Sequence, residues 1–558
     1  MNIVNPQGVE AAWLLLLIPI ACWGWMSRGA RRRRSRFGAA LTAFAGKRHL
    51  AVVSVGVLAL ALRAALLPLH PVPRPGVVDE FSYQLAADTF ASGRVANPPH
   101  ALWISFENSM FLSRPSYASK YPPAQGLVMA AGLLLARNSW VGVWLSAGAM
   151  CSAIVWMLQG WVAPRWALLG GFLAMLRIAV GSYWVDSYWG GAVAAIGGAL
   201  VYGALPRMMR RRRIRDGALF GIGLAVLANS RPYEGLLVAM PAVFTLAVWG
   251  CRQGRGGLRA LAPAGVLLVL TAAAMLGYNT RITGSPLLMP YQLHEAQYSG
   301  TPLFWFQKLR PDPVYHHEII RRFWTEWARY VYEEHFRKGL FRASLEKLNH
   351  LRIFFWGSLL SVCALALPWA LRAKRLRPAF LGLGLVLAGL LLEIDVVPHY
   401  AAPATALIYL LTVQCLRWMR VSGRAGFAVS RAIPVLLAGT LIVFYSLEAA
   451  GTQFLRDDYS WCLVRPGNLD RARILDRLNR SGGQHLVLVR YAANRVGRHA
   501  EWVHNRADID AAKVVWAWGD DPEANRALLR YYPLRQAWLL EADDAHPDLT
   551  RIRGDNQR

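Results

Sequence analysis

The stretch PRPGVVDEFSYQLAADTFASGR, residues 73–94, decides how the rest of the chain is interpreted. Its Asp79 and Glu80 are the first acidic residues after Glu10, and two long apolar segments and a run of arginines lie between. A segment that excludes carboxylates and then ends on two of them is typical of a chain leaving hydrocarbon for water. The stretch therefore predicts the point where the chain emerges from a membrane.

The composition supports the same interpretation over the whole length. Of the 558 residues, 55% are hydrophobic and only 17% are charged, and the mean hydropathy is +0.27. Apolar runs near twenty residues, the length that a helix needs to cross hydrocarbon, recur along most of the chain. These values predict a multi-pass helical membrane protein.

The formal charge of +29 is concentrated in short links between apolar runs. The arginine-rich links are 27–36, 207–215, 252–259 and 372–377. Cytoplasmic loops of membrane proteins carry such an excess of Lys and Arg. We therefore attribute the charge to membrane topology, and we predict no nucleic-acid partner.

Placing these links inside gives about twelve transmembrane helices with the N-terminus outside. The predicted spans are 11–26, 49–69, 139–162, 166–184, 190–209, 217–231, 235–250, 260–279, 353–371, 379–396, 401–418 and 430–449. The apolar segment 124–136 is too short to cross and is predicted to be re-entrant or interfacial. The fold class is mainly α, a polytopic helical membrane protein with a small C-terminal α/β domain.

Three regions follow from this topology. Residues 1–48 form an extra N-terminal span and an arginine-rich inner loop; residues 49–450 form the membrane module, with outer loops 70–123 and 280–350; and residues 451–558 form a soluble outer domain. Within the second loop, helical spacing of Ile319, Phe323, Trp327, Tyr330 and Val331 predicts an amphipathic helix over 315–352 on the membrane surface. In the tail, strands are predicted at 485–492, 513–518 and 535–542, and a helix at 522–532.

Nearly all acids before residue 450 fall at the predicted outer side, with Asp216 as the exception. Clean spans with acids at one rim favour a site at the outer surface over a path through the membrane. Asp79 is the candidate catalytic residue, acting as a general base, with Glu80 beside it. Alternatively, Asp79 caps the helix that follows and Glu80 lies in its first turn.

Cationic and aromatic residues recur at the same predicted rim. Lys120 and Tyr121 precede two prolines, and Arg231 and Glu234 occupy the turn NSRPYEG (229–235). His399 and Tyr400 lie in VVPHYAAP (396–403), and Asp186 lies in SYWVDSYWGG (182–191). Lys120, Arg231, His399 and Tyr400 would hold an anionic phosphate at headgroup level. Singly, such residues are more often snorkelling anchors, and the aromatic cluster around Asp186 also fits an interfacial belt.

A metal site is a minor alternative. His316, His317 and Glu318 are adjacent in sequence, whereas residues three or four apart on a helix are the ones that share a face. A solvated helix face is the more economical interpretation of the three. No required cofactor is predicted, and the tail contains no cofactor loop or nucleophile motif.

Three of these motifs resemble a known superfamily. VVDEFSYQLAADTFASG (77–93) and SKYPPAQG (119–126) resemble the first outer loop of GT-C glycosyltransferases, in the branch of protein O-mannosyltransferases and aminoarabinose transferases. PHYAAPATALIYL (398–410) is similar to a later span of that branch. Tyr121 separates the lysine from the prolines here, and His399 stands where the branch more commonly has arginine. The resemblance covers roughly residues 45–450.

The resemblance implies transfer of a sugar from a polyprenyl-phosphate donor to a hydroxyl of a glycan, lipid or protein on the outer side of the cell membrane. Asp79 would be the base in an inverting reaction, and Lys120, Arg231 and His399 would stabilise the departing phosphate. Glu80 would orient hydroxyl groups, while Asp186, Tyr121 and Glu234 would contact sugar or acceptor. The alternatives are a glycan ligase using a lipid diphosphate carrier, a lipid-carrier flippase, and a non-catalytic assembly subunit.

Overall fold

The computed structural model describes residues 3–26, 36–492 and 502–552, so most of the arginine-rich link 27–36 lies outside the described residues. Helices dominate. Their bounds are α1 Pro6–Met26, α2 Arg36–Gly46, α3 Arg48–Ala65, α4 Val78–Ala91, α5 Pro123–Ala136, α6 Ser139–Trp161, α7 Pro164–Ala174, α8 Gly191–Arg211, α9 Ile214–Ala228, α10 Pro232–Gln253, α11 Arg255–Thr283, α12 Pro290–Tyr298, α13 Glu318–Arg322, α14 Ala328–Lys338, α15 Leu340–Phe355, α16 Gly357–Ser361, α17 Leu367–Ala370, α18 Arg377–Leu392, α19 Thr405–Val421, α20 Arg424–Ala449, α21 Leu469–Arg480 and α22 Pro522–Tyr531.

Within the described residues, eight helices are long and apolar enough to cross a membrane, or nine if one bent pair forms a single span. They are Pro6–Met26, Arg48–Ala65, Ser139–Trp161, Gly191–Arg211, Pro232–Gln253, Arg255–Thr283, Lys374–Leu392 and Arg424–Ala449. The other four predicted spans coincide with helices that are shorter or interrupted. The run at 166–184 changes to a π-helix at Met175, α9 has 15 residues, 353–371 is broken, and 401–418 begins in a 3-10 helix. The apolar segment 124–136 forms α5, of 14 residues.

Helices α8 to α11 run up and down between two ends of the bundle. Links of one to three residues join α8 to α9, α9 to α10 and α10 to α11. Asn229, after α9, accepts a hydrogen bond from the Ala124 amide at 2.9 Å, and Tyr278 near the end of α11 donates to the Tyr121 carbonyl at 3.4 Å. We call this the Asp79 end. The links 212–213 and 254 lie at the opposite end, called the arginine end, about 30 Å away along a 21-residue helix.

The bent pair is held by a buried ion pair between two distant parts of the chain. Helices Leu340–Phe355 and Gly357–Ala370 meet at 114°. At the break, Arg177 donates to the Phe354 carbonyl at 2.9 Å, to the Ile353 carbonyl, and to Glu10 Oε1 at 3.0 Å. Arg177 and Glu10 are 0% and 1% exposed. Backbone groups freed by a break in hydrocarbon need such partners.

Arg177→Met is therefore expected to destabilise the protein strongly. It removes the donor for two carbonyls and leaves a buried carboxylate unpaired, which costs about 3–5 kcal/mol. Adding Glu10→Gln to the same protein should recover part of the loss, because the unpaired charge is then gone. Thermal unfolding of the parent, Arg177→Met and Arg177→Met/Glu10→Gln in detergent measures both effects. An unchanged midpoint for Arg177→Met would contradict the role given to the pair.

The C-terminal part contains a four-stranded sheet in the order β4-β3-β5-β6. Its strands are β3 His485–Arg490, β4 Val514–Trp518, β5 Gln536–Glu541 and β6 Leu549–Arg551, and a separate hairpin pairs β1 Phe111–Leu112 with β2 Ala118–Ser119. β3 is parallel to β4 and β5, while β6 is antiparallel to β5. The structure confirms the three predicted strands and the helix α22. The structure also contains α21 and β6, which were not predicted. Both have too few apolar residues to show the patterns from which the other elements were predicted. The boundary at residue 451 stays a prediction.

The sheet packs against the loop that follows α4. Trp518 Nε1 donates to the Glu107 carbonyl at 2.7 Å, and Asn108 Nδ2 donates to the Val503 carbonyl at 3.1 Å. Arg506 forms an ion pair with Asp88 of α4 at 2.7 Å. The C-terminal part thereby fixes the far end of the helix that carries Asp79.

The predicted continuous amphipathic helix over 315–352 is wrong in detail. A π-helix at Phe323–Trp327 and Gly339, with φ of 76°, divide it into α13, α14 and α15. Its buried face is Ile320, Trp324 and Ala328, which share one apolar core with the C-terminal sheet. The apolar side chains of α13 and the π-helix therefore pack against protein, whereas Tyr330 and Phe341 in the later helices are 56% and 78% exposed. A helical period in the sequence cannot distinguish a face that packs against protein from one that lies on lipid.

Candidate active site

Glu80 fixes the start of α4. Its Oε2 accepts hydrogen bonds from the backbone amides of Gly76 at 2.8 Å and Val77 at 2.9 Å, and its Oε1 accepts from Tyr188 N at 3.0 Å. Burial raises the pKa of Glu80 to about 7, against the opposing effect of these three bonds. The helix is thus capped by Glu80 and not by Asp79, and both Glu80 oxygens are engaged by the backbone.

Glu80→Ala is expected to lower the free energy of unfolding by about 2–4 kcal/mol, because it leaves three amide donors without their acceptor. Asp79→Asn is the matched control, since Asp79 is only half-buried and accepts no backbone hydrogen bond in the cap. Thermal unfolding in detergent gives the comparison. Equal midpoints for the two variants would contradict the assignment of Glu80 as the cap.

Asp79 faces a layer of tyrosines. Its Oδ1 accepts a hydrogen bond from the Tyr121 hydroxyl. The Tyr121 ring stacks on Tyr83, with centroids 4.5 Å apart and an interplanar angle of 15°. Tyr83 is four residues after Asp79 on α4 and therefore lies on the same helical face. Among the described residues, the Glu80 carboxylate is engaged by three backbone amides, whereas the Asp79 carboxylate accepts from the Tyr121 hydroxyl.

Lys120 lies over three aromatic rings, one of which is Tyr121. Its Nζ is 5.3 Å from the centroid of the Tyr121 ring, 5.1 Å from that of Tyr291 and 5.8 Å from that of Trp324. The residue is 4% exposed, and no residue in the described part of the chain forms a hydrogen bond or ion pair with its Nζ. Burial lowers the pKa of Lys120, while Glu295 and Asp79 act in the opposite direction. Lys120 is a buried cation without a direct anionic partner.

Arg231 supplies a second cation at the same end of the bundle. It immediately precedes α10, which begins at Pro232 as expected for a proline at the first helical position. Its Nη1 is 3.5 Å from Glu234 Oε1, and its guanidinium carbon lies 4.3 Å from the centroid of the Tyr400 ring. Arg231 interacts electrostatically with both Tyr83 and Tyr121. Its charge therefore reaches the tyrosine layer next to Asp79.

His399 lies in a buried position beside a tyrosine hydroxyl. It is 3% exposed, and its Nδ1 is 3.0 Å from the Tyr183 hydroxyl. Burial and the Arg231 charge hold the pKa of His399 well below its usual value. The imidazole is therefore neutral at neutral pH and cannot add a third positive charge.

Asp186 belongs to a separate network. It forms an ion pair with Arg63 at 2.6 Å, and Arg63 also donates to the His70 carbonyl at 3.0 Å. His70 in turn is 2.6 Å from Glu448. Of the predicted site residues, Asp79, Lys120, Tyr121, Arg231, Glu234 and Tyr400 come together, His399 adjoins them, and Asp186 is held elsewhere.

Several residues of this cluster were not predicted. α12 places Tyr291 below Lys120, and Glu295 four residues later acts on the same lysine and lies 3.9 Å from Arg310. Glu393 is 2% exposed and interacts electrostatically with Arg231. The i,i+4 pair of Tyr and Glu behind Pro290 was a usable signal for α12. Glu393 follows directly after an apolar run, and nothing in the sequence indicated that it belongs to the cluster.

The adjacent histidines and Glu318 do not converge. His316 Nδ1 and His317 Nε2 lie 3.1 Å and 3.9 Å from Glu107 Oε2, and the His317 ring stacks on Trp518 at 4.2 Å. Glu318 instead pairs with Arg321 and Arg322. Across residues 3–26, 36–492 and 502–552, no group of three or more His, Cys, Asp or Glu side chains is arranged to hold a metal ion.

No protein-family model matches the chain, and no curated protein sequence matches it. Solved structures similar to it include ArnT from Cupriavidus metallidurans in the apo state, with a TM-score of 0.49 and 13% identity over 88% of this chain and 93% of that one. The same protein bound to undecaprenyl phosphate gives 0.46 and 13% over 95% and 93%. The archaeal oligosaccharyltransferase AglB from Archaeoglobus fulgidus, with an inhibitory peptide and a dolichol-phosphate, gives 0.40 and 11% over 89% and 70%.

Proposed function

We propose that this protein is a glycosyltransferase of the GT-C type that moves a sugar from a polyprenyl-phosphate donor to an acceptor hydroxyl on the outer side of the cell membrane. The observation that carries the proposal is the placement of the Asp79 carboxylate, the buried Lys120 and the half-buried Arg231 around a single tyrosine layer. Asp79 contacts Tyr121 from one side, Lys120 lies over the same ring, and Arg231 acts on it from α10.

The two cations suit a phosphate ester that arrives from the membrane. Within the described residues Lys120 has no direct anionic partner, and Glu295 and Asp79 act on it only at longer range, so a phosphate would supply a direct counter-ion. Arg231 is oriented by Glu234 and stacked on Tyr400, which leaves part of its guanidinium fork for a phosphate oxygen. Together they would stabilise the negative charge that collects on the departing lipid phosphate.

Asp79 would accept the proton of the acceptor hydroxyl as that oxygen attacks the anomeric carbon. The new bond to the acceptor oxygen forms while the bond to the phosphate oxygen breaks, and the phosphate leaves with the electron pair. Attack from the face opposite the phosphate inverts the anomeric centre, as in inverting glycosidases. The Tyr121 hydroxyl, which donates to Asp79, would hold the carboxylate in place for that step.

In this proposal Glu80 does not contact the sugar or the acceptor. Because its two oxygens accept hydrogen bonds from the two backbone amides just before α4 and from the Tyr188 amide, we assign it as a positioning residue. It sets the direction in which α4 presents Asp79. His399, as a neutral donor or acceptor beside Tyr183, would contribute a hydrogen bond and not a charge.

The test is reconstitution of the full chain in proteoliposomes with a panel of polyprenyl-phosphate monosaccharides that carry labelled sugars. Glycan, lipid and protein fractions of a cell envelope serve as acceptors. We expect label to move to an acceptor fraction from at least one monophosphate donor. Transfer from lipid diphosphate oligosaccharides alone would establish a glycan ligase instead. Label that crosses the bilayer without joining an acceptor would establish a flippase.

A further inference from the structure

The arginine end of the bundle contains an open cavity of about 590 Å³. It forms where the link between α8 and α9 meets the start of α11. Its lining is Arg212, Arg213, Ile214, Arg215, Gly256 and Arg259. The four arginines are exposed, and the cavity lies at the opposite ends of α8 to α11 from Asp79. It is therefore separate from the candidate active site.

The arginines at this end fall into two groups. The first group donates hydrogen bonds to backbone carbonyls of α6 and α8. Arg207 donates to the Trp156 carbonyl at 2.7 Å, Arg210 to the Pro206 carbonyl at 2.9 Å, and Arg375 to the Gly160 carbonyl at 3.1 Å. The side chains of Arg213, Arg215 and Arg259, by contrast, form no hydrogen bond or ion pair with any residue in the described parts of the chain. The second group points to an external partner.

Helices α8 to α11 provide no acidic side chain that could neutralise Arg213, Arg215 and Arg259. Between Asp186 and Glu295 the sequence contains only Asp216 and Glu234. Glu234 pairs with Arg231 at the Asp79 end, and Asp216 is 3% exposed and acts on Arg207. The positive charge of the cavity is thus uncompensated by the helices that build it.

The cavity also adjoins apolar surface. Ile214, within the lining, is 49% exposed, and Leu258, beside Arg259, is 61% exposed. The apolar side of α11 continues from there through Val266, Val269 and Leu270, each at least 59% exposed. A ligand that filled the cavity with its anionic part could lay apolar chains along α11, which a free phosphate could not do.

We propose that this cavity is a binding site for the phosphate-bearing headgroup of an anionic phospholipid. Guanidinium groups bind phosphate oxygens in bidentate pairs, and basic pockets between transmembrane helices are suited to lipid headgroups. Arg213, Arg215 and Arg259 hold the headgroup, Arg212 borders it, and Ile214 and Leu258 contact the first part of the acyl chains. The site is distinct from the one proposed for the sugar donor.

Native mass spectrometry of the full chain in detergent tests this assignment. The protein is titrated with cardiolipin, phosphatidylglycerol and phosphatidylcholine, and inorganic phosphate is then added to the complexes. The variant Arg213→Gln/Arg215→Gln/Arg259→Gln is compared with Arg372→Gln/Lys374→Gln/Arg377→Gln. The control removes the same charge from exposed residues that do not line the cavity.

We expect the parent and the control to bind an anionic lipid at least tenfold more tightly than phosphatidylcholine, and the cavity variant to lose that preference. Millimolar phosphate should not displace the lipid. Equal losses in the two variants would overturn the proposal in favour of a diffuse charge effect. Displacement by phosphate would assign the cavity to a soluble anion. Size-exclusion profiles matching the parent confirm that each variant is folded.

Discussion

Asp79→Asn is expected to lower the rate of sugar transfer about 10³-fold, while the affinity for the polyprenyl-phosphate donor stays near that of the parent. The amide keeps the size of the side chain and can still accept a hydrogen bond from Tyr121, but it cannot accept the proton of the attacking hydroxyl. Single-turnover transfer with saturating labelled donor measures the rate, and equilibrium binding measures the affinity.

The matched control for this variant is Asp88→Asn on the same helix. Asp88 pairs with Arg506 of the C-terminal part and lies outside the tyrosine cluster, so transfer should continue near the parent rate. Tyr121→Phe should give an intermediate loss, because the carboxylate remains and only its hydroxyl partner is removed. Near-normal transfer by Asp79→Asn, or an equal loss in Asp88→Asn, would contradict the assignment of the base.

Lys120→Met is expected to weaken donor binding by about 10- to 100-fold, the value of one charge-assisted hydrogen bond to a phosphate. The same change should leave the free protein at least as stable as the parent. Burial lowers the pKa of Lys120, so the unfolded chain holds this proton more tightly than the folded chain does. The resulting cost to stability is complete below the folded pKa and disappears as pH rises towards the unfolded value.

The pH dependence of donor binding separates the charge of Lys120 from its packing. In the parent, donor affinity should fall as rising pH removes the proton from Lys120, and the lowered pKa brings this loss closer to neutrality. Lys120→Arg keeps a positive charge at all these pH values and should abolish that loss. Donor binding titrations across alkaline pH give the comparison. Parallel pH profiles for the parent and the arginine variant would show that Lys120 does not hold the phosphate.

Most of the helices and the C-terminal strands could be predicted because they depend on local patterns. The apolar runs predicted α6 and α8 to within two residues of their observed bounds, and the run of apolar β-branched and leucine residues predicted β3. The interruptions within spans could not be predicted, because an apolar run looks the same with or without a π-helix at Met175 or a bend at Gly357. These breaks depend on partners supplied by other helices.

The predicted site was incomplete for the same reason. Grouping Asp79 with Lys120 and Arg231 required only that their predicted turns lie at one rim. The role of Glu80 depends on the Tyr188 amide 108 residues away, and the pairing of Asp186 depends on Arg63, 123 residues away in the opposite direction along the chain. No spacing rule in a single sequence identifies such pairs, and each of them removes an acid from direct contact with a substrate.

The pair between Glu10 and Arg177 has a consequence for how the protein is made. Its partners are 167 residues apart, and the carbonyls that Arg177 also holds lie a further 176 residues along the chain. During synthesis, the Arg177 guanidinium enters the membrane before the bent segment has been made, so its hydrogen bonds to the Ile353 and Phe354 carbonyls form only later. Helix α1 therefore supplies the one carboxylate in contact with Arg177 among the described residues, and a variant without α1 would leave this buried guanidinium without its counter-ion.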